Sequence, residues 1–116
     1  MRRTVLFATS NMHKLREATE ILSKFKLRVT RASLKPIELQ ADDIRSIALT
    51  ACESIIKKRR QPVLVEDSGL FVKGLGGFPG AYSSFVYRTI GVEGVLRLMD
   101  GRQARKAEFR SALAFS

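Results

Sequence analysis

The segment Pro62–Phe71, PVLVEDSGLF, decides how this chain folds. Its apolar run predicts a buried strand over 63–66 that ends at Asp67, with Ser68-Gly69 bending away. Such a strand delivers acidic side chains to the rim of a cleft. Glu66 and Asp67 are adjacent and therefore point to opposite faces of a sheet, and Asp67 is the better candidate for facing the cleft.

The elements around this strand are predicted from hydrophobic periodicity. Strands are expected over 4–8, 27–30 and 108–115, and helices over 11–26, 44–58 and from residue 92 to Gly101. Residues 33–43 are expected to be a loop, residues 74–80 a loop or turn region, and residues 82–87 partly strand. Strands and helices alternate, which predicts an α/β domain with a mixed, largely parallel sheet, flanked by helices and bearing a cleft.

The composition fits one small domain of 116 residues. The net charge of +10 favours a polyanionic partner, either nucleic acid or a triphosphate. The densest basic run, Lys57–Arg60, is typical of an exposed helix end, and no RNA-binding aromatic signature accompanies it. We therefore expect no nucleic-acid partner. The single cysteine, Cys52, lies at an apolar helical position and is interpreted as a buried, inert thiol.

The sequence also predicts the cellular location of the protein and how much of its domain the chain covers. No apolar run approaches the roughly 20 residues that span a bilayer, and Val5–Ala8 is too short for a signal-peptide core. We predict a cytoplasmic protein without membrane contact. The chain stops at Ser116 inside a predicted strand, and we expect it to be the N-terminal portion of a longer domain whose C-terminal part is missing.

Three segments carry candidate chemistry. Residues 9–14, Thr-Ser-Asn-Met-His-Lys, join a strand to a helix N-terminus, where free N–H groups and Lys14 suit a phosphate; simple capping is the alternative. Asp67 suits Mg²⁺, which binds through one or two carboxylates plus substrate phosphates; a turn carboxylate is the alternative. Glu38 lies between apolar residues of a loop and indicates little alone.

The motifs together closely resemble the inosine triphosphate pyrophosphatase family, in particular its archaeal members. They are Thr9-Ser10-Asn11 with Lys14 and Glu17, then Glu38, then Val65–Leu70, then Gly77–Gly80 with Tyr82-Ser83. The resemblance implies that ITP, dITP or XTP is hydrolysed to the monophosphate and pyrophosphate with Mg²⁺, by a homodimer.

The resemblance also implies site residues. Thr9, Ser10, Asn11 and Lys14 hold the triphosphate, and Ser68 touches the substrate. Glu38 and Asp67 bind magnesium, and Glu66 supports the metal site. Asp67 is also the general base for the attacking water.

The chain departs from the family pattern in two places. Many members carry a phosphate-binding lysine on the second helix, and residues 48–52 contain none. The family's later base-gripping segments, a Phe-Gly-Tyr-Asp-Pro-like stretch and a His-Arg pair, are absent from the 116 residues. The alternatives are a Maf-like nucleotide pyrophosphatase, against which Gly77–Gly80 argues, an inactive truncated remnant, and a basic nucleic-acid-binding module.

Overall fold

The structure is a computed structural model and describes residues 3–116. Its strands are β1 (Arg3–Phe7), β2 (Leu27–Arg31), β3 (Val63–Val72), β4 (Pro79–Gly80) and β5 (Ala107–Phe115). Its helices are α1 (Met12–Ser23), α2 (Ile44–Ile56), α3 (Ser83–Thr89) and α4 (Gly91–Leu98), and a 3₁₀ turn covers Lys73–Leu75. No helix in this range is long and apolar enough to cross a membrane.

The strands form one mixed sheet in the order β2-β1-β3-β4, with β5 beside β3. β1 runs parallel to β2 along its full length and parallel to β3 at only two positions. β5 runs antiparallel to β3 from Leu64–Phe115 to Val72–Ala107 without a bulge. The predicted mixed α/β class is confirmed, and its antiparallel part is larger than a largely parallel sheet implies because β5 follows almost all of β3.

The other edge of β3 is shared by two strands. β1 lies beside it at Val63 and Leu64, and β4 lies beside it at Leu70 and Phe71. Between them, residues 65–69 have no strand on that edge within the described part of the chain. The sheet therefore opens beside the acidic segment, at the carboxyl end of β1, and such openings are where α/β sheets bind ligands.

The core lies between α2 and the sheet. Helical spacing brings five side chains of α2 to one face: Ile44, Ala48, Ala51, Cys52 and Ile55. They pack against Val63 and Val65 of β3 and Ala112 of β5. Ile55 and Val63 are fully buried, and each such side chain contributes about 1.5–3 kcal/mol relative to an exposed one.

The first helix covers the sheet less completely. α1 packs against β2, but none of its residues is buried, and Ile21 of the predicted apolar face is 55% exposed. The helix begins after its N-cap Asn11, as predicted, and ends at Ser23 rather than Lys26. Lys26 has a left-handed φ of 60°, a conformation that a helix does not continue through.

Two predictions about the middle of the chain are wrong. The strand does not end at Asp67, since β5 pairs with β3 as far as Val72. Residues 83–87 are helical, because α3 begins at Ser83, shortly after β4. The glycine-rich segment 74–80 is the predicted loop or turn region, and its last two residues form the short strand β4, which pairs with β3.

Candidate active site

The loop after β1 supplies the first group of predicted site residues. Asn11 Oδ1 accepts hydrogen bonds from the N–H groups of His13 at 3.0 Å and Lys14 at 3.2 Å. Thr9 Oγ1 accepts from the Asn11 N–H at 3.0 Å. These are the hydrogen bonds of an N-cap. The residues before α1 therefore cap the helix, as in the alternative interpretation of this segment. Ser10 is exposed, and the Asn11 amide NH₂ is the part of that side chain left for an anion.

Lys14 reaches from the first turn of α1 to the middle of β3. Its Nζ donates to Glu66 Oε1 at 3.0 Å and to Ser68 Oγ at 3.0 Å. Glu66 and Ser68 are two residues apart on a regular strand and share one face. The structure therefore brings together three of the predicted site residues.

Asp67 lies between Glu66 and Ser68 in sequence and faces the opposite side, which is the side of Val65 and the core. Its Oδ2 is buried, and no hydrogen-bond partner for it lies within residues 3–116. Burial raises the pKa of the Asp67 carboxyl, the Lys14 ammonium opposes this rise, and the carboxylate of Glu66 adds to it. A carboxylate in this position is more basic than an exposed aspartate.

Glu38 lies in the loop before α2 and is exposed. Its negative charge is close enough to Asp67 to contribute to the raised pKa of that residue. Within the described range, no three side chains of the histidine, cysteine, aspartate or glutamate type converge into a metal-binding group. Mg²⁺ does not need one, because it takes one or two carboxylates and completes its shell with water and phosphate oxygens. The unpartnered Oδ2 of Asp67, with Glu38 nearby, fits such an ion.

Sequence reasoning missed the contacts that fix this part of β3. Ser83 Oγ accepts from the Leu70 N–H at 2.8 Å and donates to the Gly80 carbonyl oxygen at 2.7 Å. Gly69 lies so close to β4 that an added Cβ would stand 2.1 Å from the Gly80 oxygen. We call this contact the β3–β4 brace, defined by Gly69, Leu70, Gly80 and Ser83. The available signal was a serine three residues after Pro-Gly, opposite a glycine in a strand.

A groove of about 940 Å³ lies beyond the brace, on the Asp67 face of the β3–β5 ladder. Its lining includes Phe71, Lys73, Lys106 and Arg110. The Arg110 guanidinium stands 4.3 Å from the centre of the Phe71 ring. Three cationic side chains, together with the carboxylates of Asp42 and Glu108, therefore line this groove.

Similar proteins were found by sequence. The chain is 47% identical over 111 residues to a dITP/XTP pyrophosphatase of Ignicoccus hospitalis, a match that covers 95% of this chain and 59% of that protein. It is also 47% identical over 111 residues to a dITP/XTP pyrophosphatase of Methanopyrus kandleri, covering 96% of this chain and 59% of that protein. The chain thus spans about 59% of the length of these relatives.

Solved structures show the same fold. A HAM1 protein from Coxiella burnetii superposes with a TM-score of 0.86 at 24% identity, covering 97% of this chain and 62% of that one. The Ham1 protein of Staphylococcus aureus superposes with a TM-score of 0.82 at 22% identity, covering 98% of this chain and 63% of that one.

The model of one family, the Ham1 family, matches residues 5–116. This match includes all the motifs from which the resemblance was argued, and it confirms that resemblance. The chain belongs to the Ham1 family.

Proposed function

We propose that this chain acts in the hydrolysis of non-standard purine nucleoside triphosphates, namely ITP, dITP and XTP, to the monophosphate and pyrophosphate. The observation that carries the proposal is that the opening in the sheet brings together a held cation, Lys14, and Asp67, whose Oδ2 is buried and has no hydrogen-bond partner among residues 3–116. Phosphoryl transfer needs both a positive group for the phosphates and a group that activates water. The relatives from Ignicoccus hospitalis and Methanopyrus kandleri are dITP/XTP pyrophosphatases, which supports the same reaction.

We propose that the triphosphate binds at the N-terminus of α1. The first turn of this helix carries the positive end of the helix dipole, which favours phosphate. Ser10 and Thr9 lie in the loop directly before the helix, and Asn11 supplies its amide NH₂. Lys14 supplies the cation, and Ser68 takes part by holding Lys14.

Asp67 is proposed as the general base. A base works best when its pKa lies closer to the working pH than that of an ordinary aspartate. Burial moves the pKa of Asp67 in that direction. Its unpartnered Oδ2 is free to accept a hydrogen bond from the attacking water and then to take its proton.

We propose that Asp67 and Glu38 hold Mg²⁺. When bound, the ion neutralises charge on the phosphate oxygens and makes a bound water more acidic. Glu38 and Asp67 supply oxygen ligands, which this hard cation prefers.

We further propose a cytoplasmic homodimer. The face of β5 away from α2 exposes Phe109 (84%), Leu113 (69%) and Phe115 (66%), and apolar surface of this kind supports association. Analytical ultracentrifugation over a range of concentrations tests the assembly, and a monomer at every concentration would contradict it. Fractionation of cells followed by immunoblotting tests the location.

The experiment for the activity is pyrophosphate release from ITP, XTP, ATP and GTP, each with Mg²⁺ and with EDTA. We expect release that requires the metal and is fastest with ITP or XTP. The full-length Ignicoccus relative serves as a positive control. Release from other nucleotides alone would favour a Maf-like specificity.

Absence of release from every substrate would refute the activity for this chain and favour an inactive remnant. Binding to random DNA that weakens steeply with salt, without hydrolysis, would favour a nucleic-acid-binding module instead.

A further inference from the structure

The side chain of Lys14 is held at two points before any ligand is present. Its Nζ donates to Glu66 Oε1 and to Ser68 Oγ, both at 3.0 Å. The side chains of Lys14 and Glu66 are 28% and 15% exposed, so the ion pair is largely shielded from water. An ammonium group has three N–H donors, and two contacts leave one for a ligand.

Glu66 and Asp67 face different surroundings although they are neighbours in sequence. The regular register of β3 with β5 places them on opposite faces. The Glu66 carboxylate is already neutralised by Lys14, whereas Asp67 Oδ2 has no partner among the described residues. A divalent cation beside Glu66 would be repelled by the Lys14 ammonium, and Asp67 offers a free oxygen instead.

We propose that Glu66 is a positioning residue for Lys14 and not a ligand of Mg²⁺. This inference rests on the proposed function, because it assumes that Lys14 meets a phosphate group. A lysine in the first turn of an exposed helix loses side-chain freedom when it binds an anion. Anchoring Lys14 on Glu66 and Ser68 beforehand removes much of that loss and so raises the affinity for the phosphates.

The test uses inorganic tripolyphosphate in EDTA, measured by titration calorimetry. This probe reports on Lys14 without needing a base, a metal or turnover. Glu66→Gln should weaken binding about 3- to 10-fold, the cost of ordering one long side chain. In a Lys14→Ala chain, the same change should alter binding by less than about twofold, because Glu66 then has nothing to position.

Two results would overturn the proposal. An equal loss in both backgrounds would mean that Glu66 acts without Lys14, and tighter binding by Glu66→Gln would mean that Glu66 competes with phosphate. Glu108→Gln is the matched control, since it removes the same charge from a strand glutamate that pairs with Arg110. We expect this control to bind tripolyphosphate like the wild-type chain.

Magnesium binding distinguishes directly between Glu66 as a positioning residue and Glu66 as a metal ligand. Mg²⁺ titrations followed by amide NMR shifts should show binding by the Glu66→Gln variant within about twofold of wild type, and a clear loss in Asp67→Asn. Loss of Mg²⁺ binding in Glu66→Gln would establish a metal ligand and refute the positioning role.

Failure of the positioning role and failure of the proposed function give different results. The ammonium signal of a held lysine is visible by ¹⁵N NMR, and we expect it for Lys14 in the wild-type chain and its loss in Glu66→Ala. A visible signal and intact tripolyphosphate binding, without pyrophosphate release from ITP, would refute the function and support the positioning role. No change of the signal in Glu66→Ala would refute the positioning role alone.

Discussion

Replacing Gly69 by alanine should disrupt the β3–β4 brace. The added Cβ would stand 2.1 Å from the Gly80 carbonyl oxygen, 2.8 Å from the Gly80 carbonyl carbon and 3.3 Å from Ser83 Oγ. The first two atoms belong to the backbone and cannot move away by a side-chain rotation. Either β4 separates from β3 or β3 bends, and in both cases the hydrogen bonds of Ser83 are strained.

The magnitude follows from two contributions. Inserting a methyl group into a packed site costs about 1–3 kcal/mol. Loss of the Ser83 bond leaves the Leu70 N–H with a weakened partner, which adds about 1 kcal/mol. We expect the free energy of unfolding to fall by about 2–4 kcal/mol, which is a fall in melting temperature of about 10 °C or more for a chain of this size.

Urea denaturation followed by far-UV circular dichroism measures this loss. Ser83→Ala isolates the hydrogen-bond contribution, and Gly76→Ala is the control for glycine replacement in general. Gly76 has a φ of 66° and no atom within 4 Å of an added Cβ, so only backbone strain of about 1–2 kcal/mol applies. A Gly69→Ala chain as stable as wild type, or more stable than Gly76→Ala, would refute the brace.

The remaining predictions concern the candidate site and the core. Asp67→Asn should abolish pyrophosphate release from ITP and leave the circular dichroism spectrum unchanged; full activity would exclude Asp67 as the base. Because burial raises the pKa of Asp67 in the folded state, its stabilising contribution is complete below the unfolded pKa of about 4 and is lost as the pH rises through the folded value. Urea denaturation should therefore show wild type losing stability relative to Asp67→Asn as the pH rises from 4, and a constant difference would contradict the raised pKa. Lys14→Ala should weaken ITP binding about 10- to 100-fold in calorimetry, since it removes a charge-assisted bond, and unchanged affinity would exclude the phosphate contact. Cys52 is 2% exposed and burial raises the pKa of its thiol, so native protein should react with a thiol reagent far more slowly than protein in urea; equal rates would contradict burial.

The sequence predicts the elements whose pattern is local. The helical spacing of Ile44, Ala48 and Ile55 predicts α2 to within two residues at its end, and these side chains form the core. The alternation over 108–115 predicts β5 to within one residue. In each case, apolar side chains recur at the regular spacing of the element itself, and this pattern is visible without knowing which elements lie beside it. In β5 the recurring side chains Phe109, Leu113 and Phe115 are exposed, so the pattern predicts the strand but not burial of that face.

The errors arise where a distant partner decides the structure. Ser68-Gly69 has the composition of a turn, yet β5, which follows much later in the chain, pairs with it and keeps β3 extended. Residues 82–87 contain aromatic residues typical of strands, but Ser83 binds Gly80 and Leu70 and α3 begins there. Propensity is a weak guide when tertiary contacts of this kind compete with it.

In the candidate site too, local geometry could be predicted from the sequence and a long-range contact could not. The opposite orientations of Glu66 and Asp67 follow from strand geometry alone and were predicted. The contact of Lys14 with Glu66 and Ser68 was not predicted, because it depends on how the first turn of α1 lies over β3. Sequence motifs thus supply the candidate residues of this site, and the fold decides which of them lie in contact.

Successive side chains of β3 point to opposite faces of the sheet. The candidate site therefore has two electrostatic environments on one strand. On the face toward α1, Glu66 and Ser68 accept hydrogen bonds from Lys14. On the face toward α2, Asp67 Oδ2 is buried and has no hydrogen-bond partner among residues 3–116. Burial raises the pKa of Asp67 more than the Lys14 ammonium lowers it, so Asp67 stays more basic than an exposed aspartate. In the proposed mechanism, this arrangement gives one strand both a cation for the phosphates and a base for the attacking water. Gly69 lies beside the opening between β1 and β4, and glycine is needed there because a Cβ would collide with the Gly80 carbonyl oxygen where β4 pairs with β3.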